Sequence, residues 1–271
     1  DLNDLDSMTH FLKQPGNMEK TFVLMCKQGN IETVNRFLLL GMNPNVLNGK
    51  GLDVAFKEKR YDVCKLLIEK GANHNYDHDF LLRSSVVQAN LDFVKYLLEK
   101  GTDISANHGE ALKKSFELFT KYENDNYYHI AEMLLAHDPL KAKKYEKELW
   151  ITAIETLASP LLQLMMKYIP NVNVHYDNEY ALIVMAQCNN LETVKMLVER
   201  GADVHAYSEM ALNDATSRGH INVVKYLVEE CNADFLIDDR KIFKTAQFFG
   251  RQDIYDYLTQ KEKELDDLLG V

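Results

Sequence analysis

Apolar and polar positions recur along this chain at a spacing of thirty residues. The two clearest copies begin at Ala181 and Ala211. Each copy shows a helix rich in small residues, a short polar turn, a second apolar helix and then GAD or NAD. Self-similarity at a period of about 20 to 50 residues is typical of stacked repeats. The pattern predicts an all-α solenoid of helix-turn-helix units.

The predicted second helix of each unit has one apolar face. Its apolar positions fall at i, i+3, i+6 and i+7, which is one side of an α-helix. The two central columns are Val34, Cys64, Val94, Val194 and Val224, and then Phe37, Leu67, Leu97, Leu197 and Leu227. The flanking columns are Ile31, Tyr61, Leu91, Leu191 and Ile221, and then Leu38, Ile68, Leu98, Val198 and Val228. We expect the whole face to be buried. We interpret Lys65, Lys95, Lys195 and Lys225 as a solvated outer face rather than a basic binding stripe.

Small and turn-forming residues mark the rest of each unit. The positions predicted to end the second helix in a left-handed conformation are Gly41, Gly71, Gly101, Gly201, Asp138, Asn171 and Asn232. The first helices carry a small residue where we expect the tightest packing, at Ala55, Ser85, Ser115, Ala153, Ala215 and Ala246. This thinner layer would place the first helices on the concave side of the solenoid.

The register divides the chain into three parts. Residues 1–16 form an N-terminal segment or partial cap, with a weak helical signal at Met8–Leu12. Residues 17–260 hold about seven full repeats and an end unit, and residues 261–271 form a charged tail. One unit carries an irregular insertion at residues 120–127, and its polar sequence TKYENDNY predicts a loop.

Composition narrows the class of partner. The formal net charge is −10, which argues against nucleic acid and against an anionic membrane surface. No apolar run approaches the roughly 18 residues that a membrane-spanning helix needs, and no signal peptide opens the chain. The four cysteines, Cys26, Cys64, Cys188 and Cys231, form no CxxC pair. We interpret them as buried, reduced thiols of an intracellular protein rather than disulfide or metal ligands.

The segments GHINVVKYLVE at residues 219–229 and ERGADV at residues 199–204 resemble the ankyrin repeat. That resemblance implies two helices and a finger-like β-turn in each unit. This sequence departs from the usual ankyrin pattern in two ways. The period is thirty rather than about 33 residues, and Met210-Ala211-Leu212-Asn213 stands where a T-P-L-H tetrad is usual. The resemblance therefore implies shortened fingers.

This compressed repeat is most similar to the ankyrin-repeat proteins of giant DNA viruses of amoebae, such as mimivirus-like viruses, and intracellular bacterial effectors are a second possible source. The resemblance implies a protein that binds a host protein inside the cell, in the cytoplasm rather than the nucleus. Some relatives recruit a ubiquitin ligase through an F-box, but no apolar Leu-Pro motif of that kind occurs in residues 1–16 or in the tail. An adaptor whose recruiting motif lies outside this chain stays an alternative.

The fingers are the first candidate binding surface. Their Tyr and His side chains combine a ring with a polar group and suit a contact surface. These residues are Tyr76, His78, His108, His175, Tyr176, His205 and Tyr207. The alternative is that they are ordinary polar turn residues. His78 and His108 share a register, as do His175 and His205, but no third ligand column accompanies them, so we predict no metal site.

The irregular unit is the second candidate. It gathers aromatic residues and the chain's basic cluster, namely Phe116, Phe119, Tyr122, Tyr127, Tyr128, Tyr145, Trp150, Lys141, Lys143, Lys144 and Lys147. Two interpretations are open. The cluster is a docking site for an acidic segment of a partner, or its aromatic residues repack the core where the repeat is broken.

No catalytic motif is present: the sequence lacks a Gly-rich phosphate loop, an HExxH and a GxSxG. We therefore predict a non-enzymatic protein-binding scaffold without cofactors. A monomer with one protein partner is the main expectation, and a self-assembling structural component is the alternative.

Overall fold

The computed structural model describes residues 16–122 and 124–270. These residues are mostly helical, and they contain no β-strand. The predicted all-α class is confirmed. The helix predicted at Met8–Leu12 lies outside the described residues.

The chain divides into two compact units between Ala111 and Leu112. The helices of the first unit are α1 (Asn17–Gln28), α2 (Ile31–Leu39), α3 (Val46–Lys57), α4 (Tyr61–Glu69), α5 (Tyr76–Val87) and α6 (Leu91–Glu99). Helix α7 (Ala106–Tyr122) contains the boundary.

The second unit continues with shorter and longer helices. They are α8 (Asp125–His137), α9 (Pro139–Ala142), a 3₁₀ turn (Lys143–Tyr145), α10 (Glu146–Glu155), α11 (Ser159–Tyr168), α12 (Tyr180–Gln187), α13 (Leu191–Glu199), α14 (Ala206–Arg218), α15 (Ile221–Glu229), α16 (Ile237–Phe248) and α17 (Gln252–Leu269).

Corresponding helices of neighbouring repeats pack on each other. In the first unit α1 packs on α3, and α2 packs on α4. In the second unit the first helices α12, α14 and α16 pack in succession, and so do the second helices α11, α13, α15 and α17. The six small residues predicted at the tight contacts of the first helices are all fully buried. Each repeat therefore completes its core against its neighbours.

The two central columns of the second helices are buried as predicted. Val194 and Leu197 are 0% exposed, and their equivalents in the other repeats are buried except Phe37, which is half-buried. The prediction is wrong for one flanking column: Ile31 is 47% exposed, and Tyr61, Leu91, Leu191 and Ile221 are half-buried, because they lie at the start of the helix. One buried column was not predicted. It lies one residue before the first central column and consists of Val63, Phe93, Thr193 and Val223. Thr193 belongs there because its hydroxyl accepts a hydrogen bond from Gln163 Nε2 at 3.1 Å.

The predicted helix terminators adopt the left-handed conformation at six of seven positions. Gly41, Gly71, Gly101, Gly201, Asn171 and Asn232 all have a positive φ. The prediction for Asp138 is wrong. Asp138 has φ −145° and caps the start of α9, where its side chain accepts a hydrogen bond from the Lys141 backbone N–H at 3.0 Å. An Asp side chain can serve either end of a helix, and here the following Pro139 favours a new helix start.

Lysines on the outer face of the second helices contact the next repeat. The ammonium groups of Lys65, Lys195 and Lys225 lie 5.5, 5.3 and 5.4 Å from the ring centres of Tyr96, Tyr226 and Tyr257, about one repeat further along. This is the range of a cation–π interaction. The lysine column is thus at the surface, and part of it also joins adjacent repeats.

Two predicted irregular segments are helical instead. Helix α7 continues through Thr120 to Tyr122 and α8 begins at Asp125, so most of the predicted loop at residues 120–127 lengthens two helices. The segment has no Gly or Pro, and the Tyr122 and Tyr127 rings contact each other at 6.3 Å. The predicted tail at residues 261–271 is likewise helical up to Leu269. Pairs such as Lys261–Glu264, 3.1 Å apart, support that extension.

The burial of the second helix predicts the response to two neighbouring substitutions. We expect Leu197→Ala to lower the free energy of unfolding by about 2–5 kcal/mol, because it empties a fully buried site. Lys195→Ala removes only the contact with the Tyr226 ring, and we expect a loss of about 0.5–1 kcal/mol. Urea denaturation of both variants beside the wild type measures the difference. Equal losses would contradict the assigned buried face.

Candidate functional site

Six of the fingers, the segments that follow a second helix, begin with a side-chain turn. The side chain of an Asn or Asp accepts a hydrogen bond from the backbone N–H two residues later. The residues are Asn43, Asn73, Asp103, Asn173, Asp203 and Asp234, with distances between 2.9 and 3.1 Å. This Asx turn bends the backbone without help from a neighbouring strand.

Three consecutive left-handed residues then complete each of these six fingers, and in α3, α5, α7, α14 and α16 they interrupt the helical backbone after its first residue. These left-handed residues are Leu47–Gly49, Asp77–Asp79, Asn107–Gly109, Asp177–Glu179, Tyr207–Glu209 and Asp238–Arg240. The segment between α8 and α10 is built instead from α9 and the 3₁₀ turn. Left-handed backbone disfavours residues with a Cβ by about 1–2 kcal/mol per residue. Asn, Asp, His and Gly dominate these positions because they tolerate it best. Sequence reasoning missed these turns, although that composition was a signal for them.

Buried carboxylates connect successive fingers. Asp79 Oδ2 accepts the Asp103 backbone N–H at 3.2 Å, and Glu146 Oε1 accepts the Asn173 N–H at 2.6 Å. Burial raises the pKa of the Asp79 carboxyl above its usual range. Glu179 and Glu209 are also buried at the end of left-handed turns, and the Oε2 atom of each has no hydrogen-bond partner among the described residues.

The four predicted finger histidines occupy two kinds of position. His175 and His205 lie beside the buried acids: His175 Nδ1 is 2.5 Å from Glu179 Oε1, and His205 Nδ1 is 2.6 Å from Glu209 Oε1. The bond to Glu209 raises the pKa of His205. His78 and His108 are exposed at the middle of their left-handed turns. In the described part of the chain, no cluster of three His, Cys, Asp or Glu residues is arranged to hold a metal.

The three predicted finger tyrosines also differ in position. Tyr207 is 56% exposed, and its hydroxyl oxygen accepts a hydrogen bond from Asn178 Nδ2 at 2.9 Å. Tyr76 and Tyr176 lie one register position earlier and are half-buried. The Tyr176 ring contacts Trp150, and burial raises the pKa of the Tyr76 hydroxyl. Of the three, Tyr207 is the one that presents its ring to solvent.

The irregular repeat is largely a repacked core. Phe116 and Trp150 are fully buried, and Tyr127 is 7% exposed. Tyr128 is half-buried against the Phe119 ring, whereas Tyr122 is 57% exposed.

The basic cluster of this repeat is partly neutralised. Lys143 pairs with the buried Glu146 and donates a hydrogen bond to the Asn171 carbonyl at 2.6 Å. Lys141 pairs with Asp138 at 3.5 Å. Lys144 and Lys147 remain exposed. With Tyr122, they are the members of this cluster that face solvent.

A groove in the first repeat was not anticipated from the sequence. It has a volume of about 510 Å³ and a mainly apolar lining that includes Met18, Phe37, Leu40, Met42 and Val46. Leu40, at its edge, is 87% exposed. The apolar run at residues 37–40 could have indicated this groove, but the register of the repeat predicted that these side chains are buried.

The cysteines divide into two pairs. Cys26 and Cys64 are buried, and burial raises the pKa of each thiol to about 12, so both are unreactive. The expectation of burial is wrong for Cys188, which is exposed, and for Cys231, which is half-buried. All four are free thiols. Among the described helices, none is both long and apolar enough to cross a membrane.

The His205–Glu209 pair predicts a pH dependence of stability. Because folding raises the pKa of His205, its contribution is full below the unfolded value of about 6.5 and is lost as the pH rises through the folded value. Relative to His205→Gln, we expect the wild type to be more stable at pH 6 than at pH 8.5 by up to about 1 kcal/mol. Urea denaturation at both pH values measures this. The exposed His78→Gln serves as control, and equal pH dependence of wild type and His205→Gln would contradict the prediction.

Comparison with known proteins places this geometry in a family. The sequence model described as ankyrin repeats matches the chain in three copies, at residues 22–108, 118–239 and 182–267. No curated protein matches the chain. The three matches together cover well over half of the sequence and include all six left-handed finger turns except Gly109, the last residue of the third turn. The chain therefore belongs to the ankyrin-repeat family.

Proposed function

We propose that this protein is a non-enzymatic scaffold that binds another protein through its fingers. Ankyrin repeats are generic protein–protein interaction modules. The observation that carries the proposal for this chain is the construction of the fingers. Exposed side chains such as Tyr207, His78 and His108 stand on turns that are fixed by Asx hydrogen bonds. A surface fixed before binding loses little conformational freedom when a partner binds.

The partner we propose is a protein of a host cell, bound in its cytoplasm by a viral or effector protein. The support is the compressed thirty-residue period and the VKYLVE-type second helix, which resemble the repeats of giant amoebal viruses. The acidic net charge of −10 favours a protein partner over nucleic acid. An adaptor that recruits its substrate through a motif outside this chain is a special case of the same proposal.

Within this proposal the fingers rank above the irregular repeat. Most aromatic side chains of that repeat are buried, and two of its lysines are paired with acids. Tyr122, Lys144 and Lys147 are the exposed remainder. On the fingers, by contrast, Tyr207 and the two histidines of the middle position are all exposed.

A second candidate function is self-assembly. One observation favours it: the first repeat exposes Leu39 at 71% and Leu40 at 87% beside the apolar groove. Exposed apolar surface of this kind marks contact sites between proteins. A second copy of the chain is one protein that such a surface can bind.

Affinity capture from amoebal lysate with quantitative mass spectrometry tests the main proposal. We expect a specific partner whose recovery falls at least about tenfold with the finger variant His78→Ser/Tyr207→Ser, since aromatic contact residues carry much of the affinity of an interface. The variant Tyr122→Ser/Lys144→Ser should retain the partner. Lys95→Ser, an exposed change within helix α6 and outside the fingers, is the matched control. Loss of the partner only with the Tyr122/Lys144 variant would move the site to the irregular repeat.

Light scattering during size-exclusion chromatography separates the two candidate functions. A heterologous scaffold should elute at the mass of one chain, 31.3 kDa, at every concentration. Self-assembly through the first repeat predicts a mass that rises with concentration and returns to that of one chain in Leu39→Ser/Leu40→Ser. Leu157→Ser, another exposed leucine, is the control for that variant. A stable monomer of the wild type would exclude self-assembly as the function.

A further inference from the structure

A small cavity lies between two consecutive fingers of the second unit. It has a volume of about 270 Å³ and is lined by Asn178, Glu179, Asp203, Ala206 and Tyr207. Pockets for drug-sized molecules and cofactors usually measure about 300–1,000 Å³. This cavity is therefore suited to a single side chain, and its position on the fingers places it on the proposed binding surface.

The cavity carries two carboxylates that no Lys or Arg of the described residues neutralises, although His175 Nδ1 lies 2.5 Å from Glu179 Oε1. Glu179 is 5% exposed, and its Oε2 atom has no hydrogen-bond partner among the described residues. Asp203 is exposed, and its Oδ1 accepts the His205 N–H. Neither pairs with a Lys or Arg in the described chain. A buried polar atom without a partner is uncommon in native proteins and calls for an explanation.

The nearest basic residues along the sequence are occupied elsewhere. Between positions 171 and 210 the chain has only Lys195 and Arg200. The Lys195 ammonium lies over the Tyr226 ring, and Arg200 donates hydrogen bonds to the Met166 and Met196 carbonyls at 2.6 and 3.4 Å. Apart from the His175 ring on Glu179 Oε1, a cation that completes the cavity must therefore come from another molecule.

Tyr207 forms an aromatic wall of the same cavity. It is 56% exposed, although its backbone has φ 52°, a conformation that is unusual for a bulky residue. The bond from Asn178 Nδ2 to its hydroxyl fixes the ring across the gap between the two fingers. A fixed, exposed aromatic face beside two carboxylates is suited to a cation.

We propose that this cavity binds the guanidinium group of an arginine side chain on a protein partner. This rests on the proposed binding function of the fingers and names the chemistry that one of their sites recognises. A guanidinium is planar, so it can stack on Tyr207 while its N–H groups bond carboxylate oxygens, whereas a lysine ammonium offers no stacking plane. The terminal torsion of a Glu side chain is broad, which allows Glu179 to turn Oε2 toward the ligand.

The next finger provides a matched control. Glu209 occupies the same register as Glu179, is 1% exposed and also has an unpartnered Oε2. His205 Nδ1 lies 2.6 Å from Glu209 Oε1, and His175 Nδ1 lies 2.5 Å from Glu179 Oε1 in the preceding finger. In the following finger, however, Asp238 stands in the position of Tyr207. Glu209→Gln therefore removes an equivalent buried charge without touching the cavity.

The test is titration of the full chain with the peptide acetyl-Gly-Gly-Arg-Gly-Gly-amide. The chain carries ¹⁵N-alanine, and the Ala206 signal is assigned by its absence in Ala206→Ser. We expect saturable movement of that signal in the wild type. Glu179→Gln and Tyr207→Ser should each weaken binding at least about tenfold, and Glu209→Gln should change it less than about twofold. The same peptide with citrulline, the neutral counterpart of arginine, should not bind.

A second variant at an acidic residue shows whether weaker binding is caused by loss of folding. Asp203→Asn keeps the Asx turn, because Asn fills this position in three other fingers, and it removes one charge from the cavity. We expect this variant also to bind the arginine peptide more weakly while its thermal unfolding stays that of the wild type.

Three outcomes would overturn the proposal: no saturable shift in the wild type, equal binding of the citrulline peptide, or equal losses for Glu179→Gln and Glu209→Gln. The experiments distinguish failure of this proposal from failure of the proposed function. If His78→Ser/Tyr207→Ser loses the captured partner but the arginine peptide does not bind the wild type, the fingers are still the binding surface, and only the arginine site in the cavity is excluded.

Discussion

A helix of nine residues is not stable alone in water, because helix nucleation is unfavourable and few hydrogen bonds follow it. The second helices α2, α4, α6, α13 and α15 all have that length. Each is held by burial of its apolar face between its own first helix and the neighbouring second helix. Leu197 and Val194 are inaccessible to solvent for this reason. The fold within each unit thus depends on stacking, and no single repeat completes its own core.

The same dependence explains the fingers. Three consecutive left-handed residues are unfavourable, and a peptide would not adopt them unaided. The packed helices fix both ends of each finger, and the Asx turn sets its first bend. The buried carboxylates add a second constraint, since Asp79 and Glu146 accept the backbone N–H of the following finger. The energy released by helix packing therefore maintains a backbone that the finger sequences alone would not maintain.

Sequence reasoning predicted what depends on periodicity. The buried columns through Val194 and Leu197 and the left-handed ends at Gly201 and Asn232 follow from spacing and from residue type. It failed where one residue type serves two structures. Asp138 fits the pattern of a helix end but caps a helix start. The polar segments after Thr120 and after Lys261 are typical of a loop and a tail, yet helix-forming residues and local contacts extend the helices there.

The candidate site was harder to predict, because neighbouring finger positions face different surroundings. Tyr176 and Tyr207 read alike in sequence, yet Tyr176 packs against Trp150 while Tyr207 is exposed on a left-handed turn. The buried state of Glu179 could not be read from a sequence in which acidic residues are abundant on the surface. Glu179 is buried because it lies at the end of the left-handed turn.

The repeat separates the task of folding from the task of recognition. Positions that set the backbone recur in six fingers: an Asx residue, then three left-handed residues. The first of those three is free to vary, and it is Leu47, Asp77, Asn107, Asp177, Tyr207 and Asp238 in turn. Its side chain is displayed by a backbone that does not depend on its identity. A binding site such as the cavity at Tyr207 can therefore arise in one finger, by a single substitution beside an acid already buried for the fold, while the other fingers keep their structure.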